Sequence, residues 1–242
     1  MAFDSRAVRS QPAGSTKRLR AIAAAAERRV TPGAWLAEHE AKALLKSAAV
    51  SVPSGRVVGG PEDAVHAVQQ VSGPVAVKLS SPGLQHKTDL GAVLLDVWGD
   101  ESVRSAVAAL RALPGHRETP VLIEAMAATG VELMVAVRRD GAVPVLVVAL
   151  GGMWVELLDD AVLIPLPVDH ATVRDRLHRL RGAPLLHGGR GRAPVDMDAL
   201  CDIAVRVAEL ALNENLDLVE LNPVFARHDG VMAVDAVIRR GK

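Results

Sequence analysis

The residues best suited to chemistry fall in four separated stretches. Each is polar or charged at the end of an apolar run, where binding loops usually sit. Residues 81–97 read SPGLQHKTDLGAVLLDV. His86, Lys87 and Asp89 put an imidazole, an ammonium and a carboxylate between Gly83 and Gly91, where a hairpin tip would need only turn residues. A neutral imidazole can donate to a phosphate or attack one. An ammonium can neutralise its charge, and a carboxylate on one ring nitrogen fixes the tautomer at the other. Gly83 and Gly91 allow backbone to approach an anion. A plain polar hairpin loop is the competing reading. Lys78, near the end of GPVAVKLSS, can point into a cleft as a phosphate contact or simply be solvated.

The third stretch is IEAM followed by GVE. The backbone after Glu124, at Ala125 and Met126, can read an adenine edge, and Glu132 can accept from ribose hydroxyls. Acids flanking a loop are common, so the pattern alone is weak. The fourth is Glu220, Asn222 and Asp235. Glu220 and Asn222 are two apart on a strand and share a face, and a hairpin returns Asp235 beside them. Three oxygen donors around one point suit Mg²⁺; a solvated hairpin end is the alternative. Arg190, in GGRGR, can hold phosphate or sit in a solvated loop. That segment fits neither GxxxxGK[ST] nor GxGxxG, so any nucleotide site here is neither a P-loop nor a Rossmann site.

These loops must be held by the elements between them. AWLAEHEAKALLKSAAV reads as an amphipathic helix. Pro61-Glu62-Asp63 opens another, running to about Val71, and DESVRSAVAALRAL a third, each with acids near its positive end. DHATVRDRLHRLRG is a helix capped by Asp169, LLHGGRGRAP a loop, and VDMDALCDIAVRVAELALNEN a long helix. GRVVG, GPVAVKLSS, GAVLLDVWG and TPVLIEAM are strands. GVELMVAVRRDGAVPVLVVALGG is a hairpin turning at Asp140-Gly141, and residues 216–238 give two strands linked at His228-Asp229-Gly230. Mixed helices and strands with late hairpins predict an α+β fold with two sub-domains.

Composition sets limits. The 242 residues are half hydrophobic, enough for one or two cores. Twenty-eight basic side chains balance 28 acidic ones, so no net field attracts nucleic acid or anionic lipid. With three Trp, two Phe and no Tyr, stacking platforms for single strands are not expected. Cys201 is the one cysteine, which excludes an internal disulfide or a cysteine zinc site. No apolar run reaches a membrane span and the first twenty residues carry no signal-peptide core, so a cytoplasmic protein is expected.

Taken together, EHEAKALL, GPVAVKLSSPGLQHKTDLGAV, VLIEAMAATGVELMV, ALGGMWVELLDD, LLHGGRGRAPVDMDAL, VELNPV and AVDAVI resemble the ATP-grasp β subunit of ADP-forming (NDP-forming) acyl-CoA synthetases, relatives of succinyl-CoA synthetase. The resemblance implies an ATP-grasp domain over residues 33–238, with sub-domains of about 33–125 and 126–238 after a helical or flexible extension over 1–32. It implies that His86 carries phosphate, assisted by Lys87 and Asp89. Lys78 would contact ATP phosphates, Glu124, Ala125 and Met126 adenine, and Glu132 ribose. Asn222 and Asp235 would ligate Mg²⁺ with Glu220 in support. It also implies an acid–CoA ligase reaction using ATP or ADP, shared with a separate CoA-binding α subunit. Another ATP-grasp carboxylate ligase and a non-catalytic nucleotide-binding subunit are the alternatives. Two departures stand out. Ala92 replaces a usual glycine, with its methyl expected beside the phosphate path. Near the metal, Leu218 and Glu220 replace a usual Glu and Asp.

Overall fold

The computed structural model describes residues 34–84, 87–151, 160–189 and 193–241. The expected N-terminal helix, His86, Arg190 and the segment before Asp160 lie outside them.

Two antiparallel sheets organise the chain. The first has four strands, β1 (Gly55–Val58), β2 (Val75–Leu79), β3 (Val93–Val97) and β4 (Val121–Ala125), in the order β1-β4-β2-β3. Helices α2 (Pro61–Val68) and α3 (Asp100–Arg111) cover one face of it. Each puts apolar residues at helical spacing against the sheet: Ala64, Ala67 and Val68 from α2, and Val103, Ala106, Val107 and Leu110 from α3. Val75, Val77 and Leu79 meet them from β2.

The second sheet holds β5 (Val131–Arg138), β6 (Val145–Leu150), β7 (Ala161–Pro165), β8 (Leu216–Arg227), β9 (Gly230–Ala233) and β10 (Ala236–Arg240). Its order is β10-β8-β5-β6-β7, with β9 also on β8. One face of β5, made by Leu133, Val135 and Val137, packs into a core with α4 (His170–Leu177), α5 (Ala183–Leu186) and α6 (Met197–Asn213). Cys201 is buried there, and burial pushes its thiol up to about 11. Among the described residues no helix is long and apolar enough to cross a membrane.

The first described helix, α1 (Glu38–Ser47), differs from its sequence reading in two ways. It starts at Glu38, not Ala34, because residues 34–36 run along β10: Leu36 N–H donates to Ile238 O at 3.0 Å and Arg240 N–H to Ala34 O at 3.1 Å. Its Ala41 and Leu45 also belong to the second core, although the chain division at residue 125 assigns this helix to the first half. Three further boundaries differ. Helix α2 stops at Val68. Part of the expected loop after Pro184 is helical in α5. The C-terminal segment makes three strands, because residues 234–235 turn the chain from β9 into β10.

Candidate active site

Where the two sheets meet, six charged side chains share one buried cluster. Glu38 and Lys42 come from α1, one turn apart. Lys78 comes from β2 and Glu124 from β4, on neighbouring strands of the first sheet. Lys87 comes from the loop after β2, and Asp235 from the turn between β9 and β10. Lys42 Nζ lies 2.6 Å from both Glu124 carboxylate oxygens, 2.7 Å from Glu38 Oε1 and 2.7 Å from Val234 O. Lys78 Nζ lies 2.8 Å from Glu38 Oε1, 2.9 Å from Glu124 Oε2 and 3.1 Å from Val234 O. Lys87 donates to Asp235 Oδ1 at 2.9 Å. It also stands 2.8 Å from Glu38 Oε2, a close ion contact without hydrogen-bond alignment.

Fully ionised, the cluster has three positive and three negative charges and is neutral. That matters because an unpaired charge buried here would be strongly unfavourable. Burial alone would raise the Glu38 carboxyl, but Lys78, Lys42 and Lys87 overcome it and hold the group far below the usual carboxylate range. Burial, assisted by Lys78, pushes Lys42 down. Burial opposes the charge on Lys78 too, yet Glu38, Glu124 and Asp235 hold its ammonium above the ordinary lysine value. Asp235 is raised by burial and by Glu38. Its side chain is nevertheless 30% exposed, against 5% or less for the other five, so it is where the cluster opens to solvent.

A small cleft backs onto this cluster, lined in part by Trp35, Glu38, Ser80, Ser81, Gly83 and Lys87. His39 ties α1 to the end of β2 there: its backbone N–H lies 3.1 Å and its Nδ1 2.9 Å from Ser80 Oγ. Gly83 and Gly91 both have left-handed φ, +74° and +64°, a conformation that favours glycine. Between them the turn closes with Ala92 N–H to Lys87 O at 2.8 Å and Gly91 N–H to Thr88 O at 3.1 Å.

The structure thus brings four of the sequence-predicted residues into one cluster: Lys78 meets Glu124, Lys87 meets Asp235, and Glu38 joins the two pairs. Asp89 is exposed on the turn. Lys78 differs from the open phosphate ligand expected, since its ammonium is already held by hydrogen bonds to Glu38 and Val234 O and an ion contact with Glu124. Glu124 turns its carboxylate into the cluster. The N–H groups of Ala125 and Met126 are taken by Ser54 O at 2.9 Å and Pro74 O at 3.2 Å, so an adenine would need those bonds to open or would meet other atoms. Ala92 is not beside an open path: it is fully buried in the first core, where a methyl packs.

On the second sheet, Glu132 and Glu220 sit opposite Phe225 and Ala136, on the face away from the core residues Leu133, Val135 and Val219. Asn222 is exposed, and its N–H donates to Asp235 O at 3.3 Å. Among the described residues no three His, Cys, Asp or Glu side chains form a closed metal cage. An open set of oxygen donors, the part-exposed Asp235 with Asn222 and Glu220, fits a hard divalent cation that keeps water and phosphate oxygens as its other ligands.

Glu38 and Lys42 escaped the sequence reading. Their signal was present: spaced i, i+4, they occupy the same buried stripe as Ala41 and Leu45, where charges have no place unless partnered.

Residues 25–239 match the family described as the ATP-grasp domain. The chain belongs to that family. This ATP-grasp chain is 34% identical over 208 residues to the β subunit of acetate–CoA ligase (ADP-forming) I from Pyrococcus furiosus, covering 83% of the chain and 90% of that subunit. It is 33% identical to trans-feruloyl-CoA synthase FCS1 from an unknown prokaryotic organism, covering 83% of the chain but 30% of that protein. Its fold matches acetyl-coenzyme A synthetase 1 of Ca. Korarchaeum cryptofilum bound to coenzyme A and Ca-AMPCP, with TM-score 0.80, 30% identity, and coverage of 92% of this chain and 99% of that one. A second structure of that synthetase holds coenzyme A and Mg-AMPPCP, with its phosphohistidine segment pointing towards the nucleotide site (TM-score 0.74, 30% identity, covering 93% and 99%). The expected ATP-grasp fold and the resemblance to ADP-forming acid–CoA ligases therefore stand.

Proposed function

We propose that this chain is the nucleotide-binding β subunit of an ADP-forming acid–CoA ligase. It would move phosphate between ATP or ADP and His86, while a separate subunit binds CoA and the acyl group. The observation that carries the reading is the cluster joining the turn that follows His86 to Asp235. Lys87, next in sequence to His86, and Asp235, the cation ligand in this reading, are in direct contact, which supports a phosphate carrier and a cation working at one site. The relative named as a β subunit, covered over 90% of its length, supports the need for a partner chain.

In the synthesis of a carboxylate from acyl-CoA, phospho-His86 would give its phosphoryl group to ADP. A β-phosphate oxygen of ADP forms the new P–O bond as the P–N bond breaks, leaving neutral imidazole. In reverse, an imidazole nitrogen attacks the γ-phosphorus and ADP leaves. Such transfer depends on in-line placement and on charge neutralisation more than on proton transfer. Asp235, Asn222 and Glu220 would hold Mg²⁺, which when bound offsets phosphate charge. Glu132 would accept from ribose hydroxyls, and Gly83 and Gly91 let the loop adopt its left-handed turns. Lys78 would contribute its positive charge from beneath the site. Arg190 would add to phosphate binding.

The test is incubation with γ-labelled ATP and Mg²⁺ beside His86→Asn. Acid-labile, base-stable label on the wild type alone is expected. Turnover by His86→Asn with the partner present would instead favour a ligase working through a free acyl phosphate. ATP binding with neither label nor turnover, with any CoA-binding partner, would favour a nucleotide sensor.

A further inference from the structure

Lys87 sits in an exposed turn, yet its own side chain is 5% exposed while Thr88, Asp89, Leu90 and Gly91 face solvent. Lys42 and Lys78 rise from a helix and a strand and each meets several acceptors. Lys87 alone among the three lysines is carried by a loop, and its aligned hydrogen bond goes to Asp235 Oδ1. Asp235 is also the cluster's outlet to solvent and lies against Asn222. One carboxylate therefore faces two claims: an ammonium that holds the turn beside His86, and a divalent cation arriving with nucleotide.

We propose that Lys87 is a positioning residue that moors the His86 turn to Asp235, and that a divalent cation bound with nucleotide at Asp235 loosens the mooring. This rests on the proposed nucleotide site. The incoming cation adds positive charge to a neutral cluster, and the positive group free to yield is the one on a turn. Its other contact is the ion pair with Glu38 Oε2 at 2.8 Å, which lacks the hydrogen-bond alignment met at Asp235. Linkage makes the effect reciprocal: if the cation–nucleotide pair weakens the mooring, the mooring weakens that pair's binding by the same factor. Removing the Lys87 charge leaves the cluster with one negative charge in excess, which favours the cation.

The experiment is calorimetric titration with AMPPCP, with Mg²⁺ and with EDTA, on wild type, Lys87→Met, Lys87→Gln and Lys87→Arg. Amide exchange is followed at Gly91 and Ala92, whose N–H groups close the turn. Lys87→Met and Lys87→Gln are expected to bind Mg–AMPPCP about tenfold tighter than wild type, within the usual range of such couplings. AMPPCP in EDTA should show no such gain, and Lys87→Arg should behave as wild type. Mg–AMPPCP should speed exchange at Ala92 in wild type and change nothing further in Lys87→Met. Lys87→Gln keeps a donor of similar reach, so it reports on the charge even if Lys87→Met folds poorly. Equal Mg–AMPPCP affinities in wild type and both neutral variants overturn the mooring and leave the nucleotide reading standing. No AMPPCP binding by wild type overturns both.

Discussion

Lys42→Met is the sharpest test of the buried cluster. The ammonium touches two carboxylates and a carbonyl; its loss removes the hydrogen bond to Glu124 Oε1 but leaves each of the three groups in reach of a second lysine. Lys78 still reaches Glu38, Glu124 and Val234 O. What remains is one uncompensated negative charge in a set that was neutral. The destabilisation should therefore be that of a broken buried ion pair, about 3–5 kcal/mol, and not the sum of four contacts. Glu124→Gln removes the surplus charge, so Lys42→Met with Glu124→Gln should be less destabilising than the two singles added, by about 1–3 kcal/mol. Urea unfolding of wild type, both singles and the double gives the cycle, with a midpoint shift at constant slope marking a true stability change. A Lys42→Met loss below about 1 kcal/mol, in the range of exposed pairs, would refute the reasoning. So would strict additivity.

Cys201 should resist alkylation at pH 8, because its thiol is buried and raised to about 11; fast labelling of the native chain would contradict that. Asp229 is held down to about 2 by the Arg227 hydrogen bond. Since this folded value lies below the unfolded one of about 3.9, its contribution to stability is full above pH 4 and is lost as pH falls towards 2. Carboxylate carbon NMR should show Asp229 returning to the ordinary range in Arg227→Gln. Asp196 caps α6 by accepting from Ala199 N–H at 2.9 Å, and Asp196→Ala should lower stability by about 1 kcal/mol in denaturant titration. Gly91→Ala places a side chain at φ +64° and should destabilise by about 1 kcal/mol or more, with unfolding again the readout.

Much of the fold was legible because local signals agreed with packing. The acidic first turn of α3, the Asp-Gly hairpin between β5 and β6 and the Asp169 cap of α4, which accepts from Thr172 N–H at 2.7 Å, each act within a few residues. The site was only partly legible. Types and spacing picked out Lys78, Lys87, Glu124 and Asp235, but the partner each would meet depends on contacts up to 192 residues apart, as between Lys42 and Val234. Glu38 and Lys42 were overlooked for the same reason, since a helix's own pattern does not say which distant acids and bases its stripe will meet. Ala92 was misread because the residue leading into a strand can face a core or a ligand with identical sequence.

Residues 34–36 lie antiparallel to residues 238–240, with Trp35 bridged to Arg239 and its ring 5.4 Å from the Arg239 guanidinium. The fold is thus a circuit in which residues 34 and 240 lie side by side. A short linker could close it, and the circuit could be opened elsewhere, for example in the exposed turn near Gly115, without breaking a strand pair. Tension applied across residues 34 and 240 would fall first on this narrow ribbon, which joins the segment leading into α1, with its Glu38 and Lys42, to the edge strand β10.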